Sequence, residues 1–107
     1  MTIKRINNYL ILIFLVLCWS CKKEEVAPLP KANFYAEVKK CVNDTCTVYF
    51  YDSSNNAISW VWDFGNGQQS SKPNDSTTYN LLGNYTVTLK IKNLDAIEDI
   101  KTKTVQL

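Results

Sequence analysis

An all-β sandwich of about seven strands is the fold class the sequence predicts, and three observations predict it. Apolar residues recur with period two over most of the chain after Lys31, those stretches are enriched in β-branched and aromatic residues, and clusters of Gly, Asn, Asp, Ser and Pro separate them. No run of helical period interrupts the pattern. Short strands at this spacing argue for two sheets packed face to face around one shared core.

The first element is not part of that sandwich. Lys4 and Arg5 form a basic head, Tyr9 to Leu17 is an unbroken apolar run, and Ser20 is a small residue before Cys21. This is the layout of an export signal over residues 1–20. A retained membrane span needs roughly 17 or more apolar residues, more than this run supplies. The stretch LVLCWSCKKEE resembles the lipobox of bacterial lipoproteins, in which the cysteine after a small residue is acylated and becomes the mature N-terminus. Cys21 fits that role best, although Cys18 stands where the pattern usually has Leu and is itself the competing candidate. Several acyl chains on one residue anchor a protein stably where one chain holds only marginally. Lys23, Glu24 and Glu25 resemble the Lys-acid-acid signal that sends some Bacteroidetes lipoproteins to the outer face of the outer membrane, and they read equally as a solvated tether. The expected location is therefore the outer membrane, lipid-anchored and exposed at the cell surface. Residues 21–30, with two prolines in EEVAPLPK, read as the acylated cysteine and an extended tether.

The folded domain is expected over residues 31–107. Ala32, Phe34, Ala36 and Val38 alternate with polar neighbours in a first strand, and Val48 and Phe50 alternate with Thr47, Tyr49 and Tyr51 in a second. Ile58, Trp60, Trp62 and Phe64 share one face of a third. A short strand is expected near Ser76 to Tyr79. Tyr85, Val87, Leu89 and Ile91 alternate with Thr86, Thr88, Lys90 and Lys92, the pattern of a strand with one buried and one solvated face. A last, weaker strand is expected near Lys101 to Leu107.

Charge and composition exclude several functions. Removing Lys4 and Arg5 from the 12 basic residues leaves ten lysines against 10 acidic residues, so the mature chain is neutral. It has no arginine beyond Arg5 and no histidine anywhere, so bidentate base or phosphate recognition lacks its usual residue, and nucleic acid is excluded as a partner. Ser-His and Cys-His nucleophile pairs are absent for the same reason. Paired carboxylates could serve a glycosidase, but a domain of this size builds one small core and little cleft. The domain is expected not to be an enzyme.

The stretch WVWDFGNG, followed by TTYNLLGNYTVTL, resembles the PKD (polycystic kidney disease) domain, whose motif is W-D-F-G-D-G followed by T-Y…G-x-Y-x-V-x-L. Asn66 departs from that motif, which usually has Asp there. The resemblance covers residues 31–107 and implies an immunoglobulin-like sandwich that serves outside cells as a spacer or an interaction module, without catalysis. Residue by residue, Trp60 and Trp62 sit on one strand face and read as core, and Phe64 follows them. Gly65 and Gly67 supply backbone freedom to the turn, and Asn66 either takes a left-handed conformation or caps the turn with its side chain. Asp63, on the opposite face, is expected to accept bonds from nearby backbone amides rather than to act in catalysis. Tyr85, after the Gly83-Asn84 turn and two residues before inward Val87, takes the place of a tyrosine corner, and Tyr79 is expected to be half-buried.

Cys41 and Cys46 read as a disulfide closing a hairpin in an exported domain. Their parity conflicts, because Cys46 aligns with Val48 and Phe50 while Cys41 aligns with Glu37 and Lys39; a bulge near Lys39 and Lys40 resolves this. So short a loop constrains the unfolded chain modestly, by about 2 kcal/mol at most. No cofactor is expected. Some PKD domains bind calcium through loop oxygens, and Asp52, Asn55, Asn56, Asp63 and Asn66 supply oxygens here, but calcium wants several carboxylates and Asn66 removes one. Asp75-Ser76-Thr77 resembles a short motif glycosylated at its hydroxyl residue in Bacteroidetes exported proteins, which makes Ser76 a weak candidate site. Tyr49 and Tyr51 share a face and are candidate glycan contacts; ordinary cross-strand packing of sheet tyrosines is the preferred account of them. The expected role is a membrane-anchored module binding a surface protein or glycan, with a carbohydrate-binding accessory module and a plain structural spacer as alternatives.

Overall fold

The computed structural model describes residues 25–107. Cys18, Cys21, Lys23 and Glu24 lie outside the described residues, as does the whole of the expected export signal, residues 1–20. Among the described residues no helix is long and apolar enough to cross a membrane. Seven strands follow one another: β1 (Phe34–Val42), β2 (Thr45–Asp52), β3 (Ser59–Asp63), β4 (Gln69–Ser70), β5 (Asp75–Tyr79), β6 (Asn84–Lys92) and β7 (Glu98–Gln106). They form two sheets, one in the order β1-β2-β5 and one in the order β4-β3-β6-β7, with all neighbours antiparallel.

The core lies between the sheets and is largely aromatic. Phe34, Phe50, Trp62, Phe64 and Tyr79 are buried there with Val48, Val87, Leu89 and Ile91. The edge of Phe34 meets Trp62 at 5.0 Å and 76°, while Trp62 and Phe64 lie nearly parallel at 5.7 Å. Rings at these separations add contact energy beyond the area they bury. The Trp62 indole N–H donates to the Lys72 carbonyl at 2.9 Å, so its polar atom is satisfied at the rim of the core. Trp60 is half-buried, and its Nε1 is buried without a hydrogen-bond partner among the described residues.

Period-two parity reports which face a residue shares, and here it overstates how much of each strand is covered. Ala36 and Val38 align with buried Phe34 but are exposed: they lie on edge strand β1, and their partners Phe50 and Val48 on β2 are fully buried, so the opposing sheet covers β2 and leaves this part of β1 open. Ile58 is exposed one residue before β3 begins, outside the run of buried side chains. Tyr79, expected half-buried, is 1% exposed.

Two strands differ from expectation in extent. β7 runs nine residues and pairs with β6 along its whole length, from Asn84↔Gln106 to Lys92↔Glu98. β4, which the sequence did not indicate, is two polar residues paired with Trp62 and Asp63.

The hairpin of β1 and β2 turns at Asn43 and Asp44, both with positive φ (52° and 65°), the backbone that a two-residue primed turn demands and that Asn and Asp tolerate. A register shift between Val38 and Lys40 brings Cys41 directly opposite Cys46, where the two form a disulfide. The extra residue reverses the parity of β1 beyond it, which is how an exposed and a buried cysteine meet.

The open side of the sandwich, between edge strands β1 and β7, is closed by charged side chains on the inner face of β7. Asp99 accepts a hydrogen bond from the Ala32 amide at 2.7 Å, and the Lys103 ammonium donates to the Phe34 carbonyl while lying 5.1 Å from the Phe34 ring centroid. These contacts occupy edge groups that would otherwise be free to pair with another chain.

The segment expected to be a tether is held on the body as far back as Ala27. Its amide donates to Asp95 at 2.9 Å, Asn93 donates to the Pro28 carbonyl at 3.0 Å, Asn56 donates to the Leu29 carbonyl at 3.0 Å, and Lys31 pairs with Asn55. The prolines keep this stretch extended, and the loops after β2 and β6 supply the side chains that catch it.

Candidate functional site

The Trp-Asp-Phe-Gly-Asn-Gly stretch is a turn that locks the two sheets together. Asp63 accepts a hydrogen bond from the Gly65 amide at 2.9 Å, and Asn66 Oδ1 accepts one from the Gln68 amide at 3.0 Å. With Oδ1 so engaged, the Asn66 amide nitrogen faces β5 in the other sheet, where it donates to Thr77 Oγ1 at 2.9 Å and the Thr78 carbonyl at 3.1 Å. A carboxylate has no hydrogen to give at that place, which accounts physically for Asn where the motif usually has Asp. Of the two roles open to Asn66, the structure shows the side-chain cap; positive φ falls to Gly65 and Gly67, at 75° and 87°. A Cβ on Gly65 would stand 2.4 Å from the Thr86 carbonyl oxygen, so this glycine is required by close approach as well as by φ.

The two motif tyrosines brace the same end. The Tyr79 hydroxyl donates to the Phe64 carbonyl at 2.7 Å inside the core, and burial pushes its phenol far above the ordinary range. Tyr85 donates to the carbonyl of Leu81, four residues upstream, and its ring lies 4.3 Å from that of Tyr79. Gly83 exchanges two backbone hydrogen bonds with Leu107. These residues hold the fold, and none opens into a cleft with a nucleophile and a base.

Some of the loop residues considered for calcium hydrogen-bond within the fold. Asp52 accepts from the Ser54 amide at 3.0 Å, Asp63 from Gly65, and Asn56 donates to Leu29. Among the described residues no group of three or more Cys, Asp or Glu side chains is placed to hold a metal ion.

What remains exposed and chemically distinctive is the outer face of the β1-β2-β5 sheet. The register sets Tyr35 beside Tyr51, and Glu37, Tyr49 and Ser76 in one row across three strands. The Tyr35 and Tyr51 rings stack at 4.9 Å with 22° between their planes. Tyr35 is 55% exposed and Tyr49 is 41% exposed, while Tyr51 is half-buried. Beside them a shallow depression of about 240 Å³ is bounded by Tyr49, Tyr51, Asn74, Asp75 and Ser76.

The flat pair expected from Tyr49 and Tyr51 is therefore differently composed. Tyr51 pairs across the strand with Tyr35, and the Lys39 ammonium lies 5.5 Å from the Tyr49 centroid, held by Glu37 at 3.0 Å. The hydrogen bond to Glu37 raises the Lys39 pKa above its ordinary value. Asp75 is fixed on the rim by Ser70 Oγ at 2.6 Å and the Ser76 amide at 2.8 Å, and these bonds hold its carboxyl below the ordinary range. Ser76 is exposed in the row next to Tyr49. Tyr35 was not among the residues singled out for this face. Its parity opposite Phe34 was the available signal, and its partner was visible only once the register was known.

The strand order, the aromatic core and the tyrosine corner define an immunoglobulin-like β-sandwich. The sequence pattern of the PKD domain matches residues 25–107, and the chain belongs to that family. It is 29% identical over 84 residues to the pre-pro-metalloprotease PrtV of Vibrio cholerae serotype O1, covering 78% of this chain but 9% of that protein. The crystal structure of the PKD1 domain of Vibrio anguillarum Epp is similar at 32% identity and a TM-score of 0.64, covering 77% of this chain and 96% of that one. A structure from work on the promiscuous specificity of carbohydrate-binding modules of the β-sandwich superfamily is similar at 26% identity and a TM-score of 0.65, covering 77% of this chain and 35% of that one.

Proposed function

We propose that this chain is a non-catalytic, membrane-anchored module that binds a glycan on the outer face of its β1-β2-β5 sheet. The observation that carries the reading is the aromatic cluster of exposed Tyr35 and Tyr49 with half-buried Tyr51 on two adjacent rows of one sheet face, bordered by Glu37, Lys39, Asn74 and Ser76. Aromatic rings give a pyranose an apolar surface to lie on, and the flanking polar groups supply donors and acceptors for its hydroxyls. The likeness to a structure from work on carbohydrate-binding modules of the β-sandwich superfamily, of which this chain covers 35%, supports the ligand class.

The lipobox-like stretch supports acylation at Cys21, residues 1–20 as the removed signal, and export to the cell surface with Lys23, Glu24 and Glu25 as the sorting signal. The mass of the mature N-terminus tests the first, and protease shaving of intact cells with a Cys21→Ala control tests the last.

Glycan-array binding by the folded domain tests the ligand class. The expected result is retention of one polysaccharide class by the wild type and its loss in Tyr49→Ala and in Tyr35→Ala, with the unfolding temperature of each variant recorded alongside. Binding that survives both substitutions, or no glycan binding at any concentration, refutes the proposed face.

A further inference from the structure

Exposed apolar side chains gather at one end of the sandwich, the end from which the anchored segment departs. Val26 is 79% exposed, Leu29 71%, Ile58 54%, Leu94 76% and Ile97 39%. The hydrogen bonds of Ala27 with Asp95, of Pro28 with Asn93 and of Leu29 with Asn56 place these five residues on three neighbouring segments. Ala27, Pro28, Ile58 and Leu94 also line one shallow apolar hollow there, so the five form a patch rather than scattered residues.

We propose that this end of the domain rests on the lipid bilayer, with Leu29, Ile58, Leu94 and Ile97 entering the headgroup layer. The inference rests on the acylation of Cys21 proposed above. Val26 follows Cys21 by five residues, so even a fully extended chain keeps it within about 18 Å of the acylated residue. No conformation of so short a link takes this end far from the lipid, whereas the opposite end of the sandwich stands a full strand length away.

Among the described residues charge at this end leans acidic, with Lys31 and Lys92 against Asp95, Glu98 and Asp99; Lys92 pairs with Glu98 at 3.5 Å and Asp95 accepts from the Ala27 amide. Among the described residues no cluster of lysines marks it for anionic lipid. The contact is therefore apolar in origin, and it is expected to persist on zwitterionic lipid and at high salt.

A built-in comparison makes this testable. Leu81 and Leu82, 71% and 53% exposed, lie in the loop before β6, at the opposite end of the same strands. The chain from Cys21 onward, whose Cys41–Cys46 disulfide leaves Cys21 as the free thiol, is coupled through that thiol to a maleimide lipid in phosphatidylcholine nanodiscs. Coupling by chemistry measures the contact whether or not cells acylate Cys21, while the mass of the natural N-terminus tests acylation separately.

Methyl resonances are then recorded with and without a nitroxide carried on the lipid chain near its headgroup. Leu29, Ile58, Leu94 and Ile97 are expected to lose their signals while Leu81 and Leu82 keep theirs, at low and at high salt. In Leu94→Glu with Ile58→Glu, the Leu29 and Ile97 signals are expected to return. Equal broadening at both ends overturns the proposal. So does selective broadening near Tyr35 and Tyr49, which would put the tyrosine face on the lipid instead.

Discussion

Asn66→Asp restores the residue that the PKD motif usually carries, and here it is expected to destabilise the domain. In the wild type the Asn66 amide donates to Thr77 Oγ1 and to the Thr78 carbonyl, while its oxygen accepts from Gln68. A carboxylate keeps the bond from Gln68, and the Thr77 hydroxyl rotates to donate to it. The Thr78 carbonyl has no such recourse and is left facing a negative oxygen. One hydrogen bond lost and one acceptor left opposed cost about 1–3 kcal/mol together. For a domain of this size each kcal/mol lowers the unfolding temperature by roughly 4–8 °C. Thermal unfolding followed by circular dichroism at pH 7 reads the difference directly. The introduced carboxyl is less favourable charged in the folded state, so its folded pKa lies above its unfolded one. Its penalty is present above that folded pKa and fades as pH falls through it, because the protonated group donates again. A variant as stable as the wild type at neutral pH, or a deficit that does not shrink on acidification, refutes this account of Asn66.

Gly65→Ala places a Cβ 2.4 Å from the Thr86 carbonyl in a backbone with φ of 75°, and the left-handed conformation alone costs about 1–2 kcal/mol; a larger loss is expected in chemical denaturation. Tyr79→Phe removes the buried donor to the Phe64 carbonyl and is expected to cost about 1–3 kcal/mol, more than Tyr85→Phe, whose bond to Leu81 is exposed; equal losses in the two would contradict the burial argument. The Asp75 carboxyl is held below its ordinary pKa by Ser70 and then by Ser76, so its stabilising contribution is present above the ordinary carboxylate range and lost as pH falls through its folded pKa. Wild type and Asp75→Asn are therefore expected to converge in unfolding temperature on acidification, by a small amount because the group is largely open to solvent.

Much of this fold was legible because local pattern and tertiary role coincide. β6 alternates cleanly since its inner residues Val87, Leu89 and Ile91 meet the core along the strand and its outer residues face solvent. The bulge in β1 followed from parity alone, since two cysteines on opposite faces cannot pair without an extra residue. Where the reading fell short, the deciding contact was non-local. Parity placed Ala36 and Val38 on the inner face but carries no information on how far the opposing sheet reaches. β4 is two polar residues defined only by their neighbour β3. The Tyr35–Tyr51 stack depends on register, and the hold on residues 27–31 depends on Asn56, Asn93 and Asp95, distant in sequence from the prolines that suggested a free tether.

That hold also determines how the domain would behave under tension. If the chain is fixed at Cys21 and a ligand is gripped at Tyr35, the force enters through residues 25–33 and leaves through β1, bypassing the aromatic core. The bonds of Ala27, Pro28 and Leu29 to the neighbouring loops are the first in series, and they are few and near solvent. Peeling them back to Lys31 releases about 14 Å of chain before either sheet is strained. Under that loading the segment would act as a mechanical fuse, lengthening the leash while the seven strands stay folded.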